Sequence, residues 1–367
     1  MSRNKIIVSA VAFIVVITLT VSFALLSKLS FTGTENYSET FFGSISESAY
    51  EDKEEAAHDF VSKELTGATA SPEYIGYTSD GELKSADLEE INSHNLIEED
   101  IQSGEKVTIR YRNSTAENSV KAYLLDAGKK YRYFVLPPEE GGIVTNSYLN
   151  SVLDGEKYLN CTSTTIVGMS VNDIMTTYNQ TIQFDNDKAY FKQEIPGLIS
   201  DVYLEEYSGG ITAYLKHPEK NDNKFYSISD IKSYYYKKGY EYDLFLIKGE
   251  EEVNIDSLNS MQDITDFCFM LDIDASYFVK TPYGFAMTEE KYKAVCKMLA
   301  GNKLGEEFDK AWNDYQVHFR ADYYVSEGRL SKSEIVLNLY YDGNYMTVSL
   351  TSIYSDFGST TVEMPER

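Results

Sequence analysis

The chain is poor in the side chains on which most enzyme chemistry rests. Its 367 residues include four histidines, His58, His94, His217 and His318, none within four residues of another. Catalytic dyads and metal sites need such groups to converge, so this scatter points to surface or partly buried structural histidines. Cysteine is equally sparse. Cys161, Cys268 and Cys296 form no C-x-x-C pair and lack the clustering of a zinc site, and an odd count permits at most one internal bridge. There is no H-E-x-x-H, no G-x-S-x-G, no phosphate-binding Gly-rich loop and no dinucleotide fingerprint. Ser103 with Lys106 and Ser229 with Lys232 each make an S-x-x-K, but the S-D-N and K-T-G partners are missing, since Lys280-Thr281 is followed by Pro282. Asp185 with Asp187, and Asp272 with Asp274, fall short of the ligand density of a calcium loop. The expectation is no catalytic residue, no metal and no cofactor. No internal repeat or low-complexity tract is present.

Basic residues are the other shortage. There are 33 Lys and Arg against 58 Asp and Glu, a net charge of −25. Such a surface repels phosphate backbones and anionic headgroups, which excludes nucleic acid as the expected partner.

What is present begins with an apolar run. From Ile6 to Leu26 there is no charged residue, enough to cross a hydrocarbon core as a helix. Arg3 and Lys5 precede it, which keeps residues 1–5 cytoplasmic by the positive-inside rule. A cleaved signal peptide competes, because Ser22 and Ala24 have the required spacing, but the run continues through Leu25 and Leu26. The expected layout is a single-pass anchor at 6–26, a stalk at 27–44, and the rest outside the cytoplasm. Asn36, Asn113, Asn160 and Asn179 sit in N-x-S/T sequons, which matter only in a glycosylating host.

The 31 Tyr and 18 Phe suit cross-strand pairs. Residues 46–65 carry a helical apolar stripe with Gly67 as a C-cap, and strands follow at 106–112, 120–125 and 130–136. A small α+β domain of one helix on a curved sheet is expected over 45–150. Over 151–367 strands dominate, at 162–169, 174–184 and 189–195, then 203–207 and 211–215 around Gly209-Gly210, where a two-residue loop sets Leu204 opposite Leu215. Near the C-terminus, Asp342-Gly343 as a two-residue turn sets Leu339 against Met346, Leu337 against Val348 and Ile335 against Leu350. A slip of one residue would put Leu339 against Thr347. Between the strand groups, 261–271 and 289–300 read as helices, the second with Thr288 as N-cap and Gly301 as C-cap. Cys268 and Cys296 lie on their apolar stripes. If the helices pack antiparallel the two could form a disulfide; otherwise both are small buried apolar residues.

The order of these elements, with Asp187-Lys188-Ala189-Tyr190-Phe191 early and Tyr354-Ser355-Asp356-Phe357-Gly358 and Val362-Glu363-Met364-Pro365 at the end, resembles the lipoprotein-carrier-like proteins of bacterial envelopes. These include outer-membrane lipoprotein carriers and lipid-binding lipoproteins of mycobacteria and other Gram-positive bacteria. The resemblance covers about 200 residues from Lys157 and implies an open antiparallel half-barrel whose two covering helices shelter an apolar cavity. Phe267, Leu271, Val295 and Leu299 would then line the cavity, the alternative being that they fill a packed core. The chain departs from the family in having no lipidated cysteine and an added N-terminal domain, and a helical anchor argues against shuttling. The expected function is binding of a lipid or other hydrophobic ligand by a membrane-anchored envelope protein. The alternatives are a protein-interaction or sensory module with no ligand cavity, or an enzyme with an unfamiliar site.

Overall fold

A computed structural model describes residues 41–66, 72–94, 101–113, 116–172, 174–194, 201–220, 222–248, 251–269, 275–293, 296 and 306–366. The apolar run 6–26 lies outside them, and among the described residues no helix is long and apolar enough to cross a membrane. The fold is mixed α+β with antiparallel sheets, in two units: residues 38–152 with 272–287, and residues 153–271 with 288–367.

In the smaller unit, β1 (Ser44–Ile45), β2 (Glu73–Glu82), β3 (Ser103–Asn113), β4 (Ala116–Asp126) and β5 (Tyr131–Val135) form a sheet in the order β1-β5-β4-β3-β2. Period-two alternation divides its side chains between two cores. Val107, Ile109 and Tyr111 of β3, Leu124 of β4, and Tyr133 and Val135 of β5 face α1 (Lys53–Phe60), where Ala56, Ala57 and Phe60 are fully buried. Their neighbours Leu125 and Phe134 face the other way, onto Ile91 of α2 (Ser85–Ser93). Bulges in β2 at Tyr74/Gly76 and Ser79/Gly81 bend that edge strand and curve the sheet.

Three boundaries differ from the sequence reading. The first helix starts at Lys53 rather than 46, because the Asp52 carboxylate caps it, accepting the Glu55 N–H at 2.8 Å, while Tyr50 bridges Tyr131 as extended chain. Phe41 to Ser44, assigned to the stalk, belong to the unit: Ser44 pairs with Val135 and Phe42 packs on Phe134. After α3 (Asn146–Leu153) the chain leaves and later returns as the hairpin Val279–Thr281/Gly284–Met287. There Lys280 accepts the Gly141 N–H and donates to the Gly142 carbonyl, so a single cut near residue 150 does not separate the units.

The larger unit is built on a meander: β6 (Asn160–Val171), β7 (Ile174–Asp185), β8 (Lys188–Gln193), β9 (Asp201–Tyr207), β10 (Gly210–Lys216) and β11 (Phe225–Ser227). Then come α4 (Ile228–Lys237), a two-stranded ribbon (Phe245–Lys248 with Glu251–Asn254), α5 (Met261–Phe269) and α6 (Glu306–Asp314). The last strands are β12 (His318–Ser326), β13 (Arg329–Tyr341) and β14 (Asn344–Ser355). Within the larger unit, which supplies nine of the eleven strands of this sheet, the order is β11-β10-β9-β8-β7-β6-β14-β13-β12, all antiparallel.

The C-terminal hairpin has the register read from the sequence, with Leu339, Leu337 and Ile335 opposite Met346, Val348 and Leu350. Its turn residues Asp342 and Gly343 both have positive φ, 48° and 78°, the primed geometry that matches strand twist. The β9–β10 turn is instead Ser208-Gly209, the pair with positive φ, so Leu204 faces Ala213 and not Leu215. Thr288 caps a helical segment at 289–293 as expected, accepting the Lys291 N–H through its side chain at 3.4 Å; Gly67 and Gly301 lie outside the described residues.

Candidate functional site

Register carries one face of the larger sheet across nine strands. At one end, Cys161, Phe184, Ala189, Leu204 and Ala213 lie in one cross-strand row, all fully buried. Toward the other end, Val167, Leu350, Ile335 and Ala321 form a second row. The positions on this face carry no Lys, Arg, His or Asp. Their one charged side chain is Glu206, whose carboxylate accepts the Met261 N–H at 2.7 Å at the start of α5. The opposite face holds Lys188, Lys192, Asp201, Glu205, Arg320, Asp322, Lys332 and Glu334. The near-absence of charge on this face is therefore a property of the pleat and not of local composition.

Two groups of aromatic side chains cover it. Phe269 of α5 stacks on Tyr158 with centroids 4.0 Å apart and packs on Tyr354 at 5.6 Å and Phe184 at 6.0 Å. Tyr292 stacks on Phe319 at 3.6 Å, with Trp312 of α6 5.9 Å away. The buried Tyr158 hydroxyl accepts the Leu330 N–H at 2.8 Å. Burial pushes the phenols of Tyr158, Tyr323 and Tyr354 upward and keeps them neutral.

Between these covers the face is polar. Gln180, Thr165, Ser352, Ser333 and Tyr323 sit directly opposite one another on five consecutive strands, each at most 8% exposed. The sequence hides this row. Each member stands among ordinary strand serines and threonines, and only register brings them into line.

Of the residues singled out by sequence, Phe267 is half-buried on α5, while Leu271, Val295 and Leu299 lie outside the described residues. No disulfide joins Cys268 to Cys296; all three cysteines are thiols. The physical reason is that the two segments meet different ends of the sheet, α5 through Phe269 on Tyr354 and the 289–293 segment through Tyr292 on Phe319. Burial pushes the Cys161 thiol up to about 12, and the neighbouring Cys268 adds to the rise. Cys296 is pushed up to about 12 by burial, opposed by a hydrogen bond with Tyr292. Neither is a thiolate near neutral pH.

Neither S-x-x-K serves its serine. Lys106 pairs with Asp87 at 3.2 Å, and Lys232 pairs with Asp243 at 2.9 Å and with Asp256. Among the described residues, no three His, Cys, Asp or Glu side chains converge as metal ligands.

A cavity of about 450 Å³ opens on the α2 side of the smaller sheet, lined by Phe41, Phe42, Ile91, Tyr123 and Phe134, with Asp87 and Glu90 also on its wall. Nothing in the sequence marked it, since the Phe41-Phe42 pair reads as part of a stalk. No family model and no curated protein matches the chain.

Proposed function

We propose that the chain is a membrane-anchored, extracytoplasmic protein of a bacterial cell envelope. In this reading its larger unit binds a lipid or other apolar ligand on the nearly uncharged face of a half-barrel-like sheet, without acting on it chemically. The observation that carries the reading is the face itself: over the nine strands of the larger unit it has one charged position, Glu206, and is covered by helices and aromatic rings. A packed antiparallel sheet of this width commonly keeps one face for its core and the other for water. Here the core face is closed by short helical segments, which suits a cover that moves aside for a long apolar guest. The anchor over 6–26 would hold the unit beside its source of ligand.

Native mass spectrometry of the full chain, released gently from its host membrane, tests this. A bound mass of lipid size, displaced by an apolar fluorescent probe, is the expected result. A bare protein mass together with no uptake of the probe would overturn it.

A second reading, a protein-interaction module, is favoured by the tip of the β6–β7 hairpin. Val171, Ile174 and Met175 are 46%, 76% and 69% exposed, and the neighbouring Tyr340–Tyr345 pair is exposed too. Clustered exposed apolar side chains mark contact surfaces. Under this reading Ile174→Asp abolishes partner capture and leaves any ligand mass unchanged.

A further inference from the structure

The smaller unit holds a site of a different kind. Its cavity of about 450 Å³ falls within the range of pockets that take small molecules. Phe41, Phe42, Tyr123 and Phe134 supply ring surface to the wall, and Asp87 and Glu90 of α2 supply two carboxylates. The rings brace one another. Phe134 packs edge-on against Phe42 with centroids 5.8 Å apart and stacks with Tyr123 at 5.9 Å, while His94 stacks on Phe42 at 4.3 Å. The two carboxylates differ in what they already hold. Asp87 accepts the Lys84 N–H at 3.0 Å and pairs with Lys106 at 3.2 Å. The Lys106 ammonium also lies 5.5 Å from the centroid of the Tyr123 ring, so this wall already holds one ammonium between a carboxylate and an aromatic face. Glu90 has no such neighbour: among the described residues no basic side chain pairs with it. With Asp87 and Lys106 offsetting each other, the wall keeps one negative charge beside apolar rings.

We infer that this cavity binds a small organic cation, a protonated amine on an apolar, ring-sized body, with its ammonium at Glu90 and its body against Phe42, Tyr123 and Phe134. The faces of aromatic rings attract cations, and a carboxylate accepts the N–H bonds that a primary ammonium must keep when it leaves water. An anion of the same shape meets Glu90 as a like charge. A neutral analogue fills the space between the rings but gains nothing from the carboxylate. The net charge of −25 adds a long-range pull on cations. None of this draws on the ligand proposed for the larger unit.

Isothermal titration of the full chain in mild detergent tests this with three probes on one skeleton: 2-phenylethylammonium, 2-phenylethanol and phenylacetate. The amine is expected to bind most tightly, the alcohol more weakly, and phenylacetate not at all up to millimolar concentration. Glu90 is exposed, so Glu90→Gln should leave the fold intact, which unchanged circular dichroism would verify. That variant is expected to weaken the amine by about fivefold, the scale of an exposed ion pair, and to leave the alcohol unchanged. Phe42→Leu is expected to weaken amine and alcohol alike. Nα-acetyl-lysine methylamide presents the same ammonium on a protein side chain. Tighter binding of it than of phenylethylammonium would give the site to a protein partner and overturn the small-amine assignment. Equal binding of amine, alcohol and phenylacetate, amine binding that either substitution leaves unchanged, or no binding of the amine would each overturn it as well.

Discussion

The two sheets use the same antiparallel pleat in opposite ways. In the smaller unit both faces are covered, so the adjacent residues Leu124 and Leu125 are each fully buried in separate cores. Across β12, β13 and β14 of the larger unit one face alone is closed, so Leu337 is buried while its neighbour Val336 is half-buried, although on β10 the adjacent Ala213 and Tyr214 are both buried. Two-sided covering consumes every apolar position in making the fold. One-sided covering leaves a broad floor with Glu206 as its one charged side chain, which is where a binding function has room to sit.

Lysine substitution at neighbouring positions would break this comparison most directly. Leu124→Lys, Leu125→Lys and Leu337→Lys should each cost more than ~4 kcal/mol by burying an unpaired charge, while Val336→Lys should cost less than ~1 kcal/mol. Urea unfolding reads all four, and an intolerant Val336 site would show that the larger sheet has a second covered face. Next in size, Phe60→Ala should cost ~3–5 kcal/mol by opening a cavity under α1. If the units unfold separately, it shifts one calorimetric transition and spares the other. Ser333→Ala has the opposite sign, stabilising the lipid-free protein by ~1 kcal/mol through removal of a buried hydroxyl without a partner. A loss of melting temperature there would mean that the hydroxyl serves the fold.

A gentler contrast comes from pH. Glu64 is buried in the smaller unit, and desolvation raises its pKa even though Ser147 and Tyr133 hydrogen-bond to it. The unfolded chain releases that proton first, so stability should fall as pH rises from about 4.5 toward the folded-state value. Glu64→Gln should flatten the slope in urea midpoints across this window. Smallest of all, the half-exposed Lys332–Glu334 pair at 2.9 Å should show a coupling of ~0.2–1 kcal/mol in a double-mutant cycle.

How much was legible from sequence follows from the same contrast. One-sided strands advertise themselves by alternation, and the 335–350 hairpin could be registered residue by residue because a slip would have swapped its faces. Two-sided strands do so less completely: β3, β4 and β5 are strands where the sequence reading has them, but no pattern gives their register. In β4 the run Tyr123-Leu124-Leu125 alternates nothing, and β2, with its two bulges, gave no clear period. The helix α2 was missed because only Ile91 is buried on it. The Ser208-Gly209 turn was misplaced by one because Gly209-Gly210 satisfies the same composition rule, and backbone dihedrals decide between them. The polar row, and the cavity beside Phe42, depend on residues more than a hundred positions apart meeting across the sheet or on which face a helix covers. No local pattern encodes either.

The pairing of β6 with β14 has a consequence for how the protein is made. These two strands lie side by side near the middle of the sheet, yet every other strand of the unit lies between them in sequence. β6 to β11 therefore emerge from the ribosome with a bare inner edge, and the sheet cannot close until Asn344–Ser355 has been made. Such late, long-range closure makes folding slow and exposes an edge strand on the way. Any premature stop before Asn344 removes the keystone strand and leaves a sheet open to mispairing with other chains.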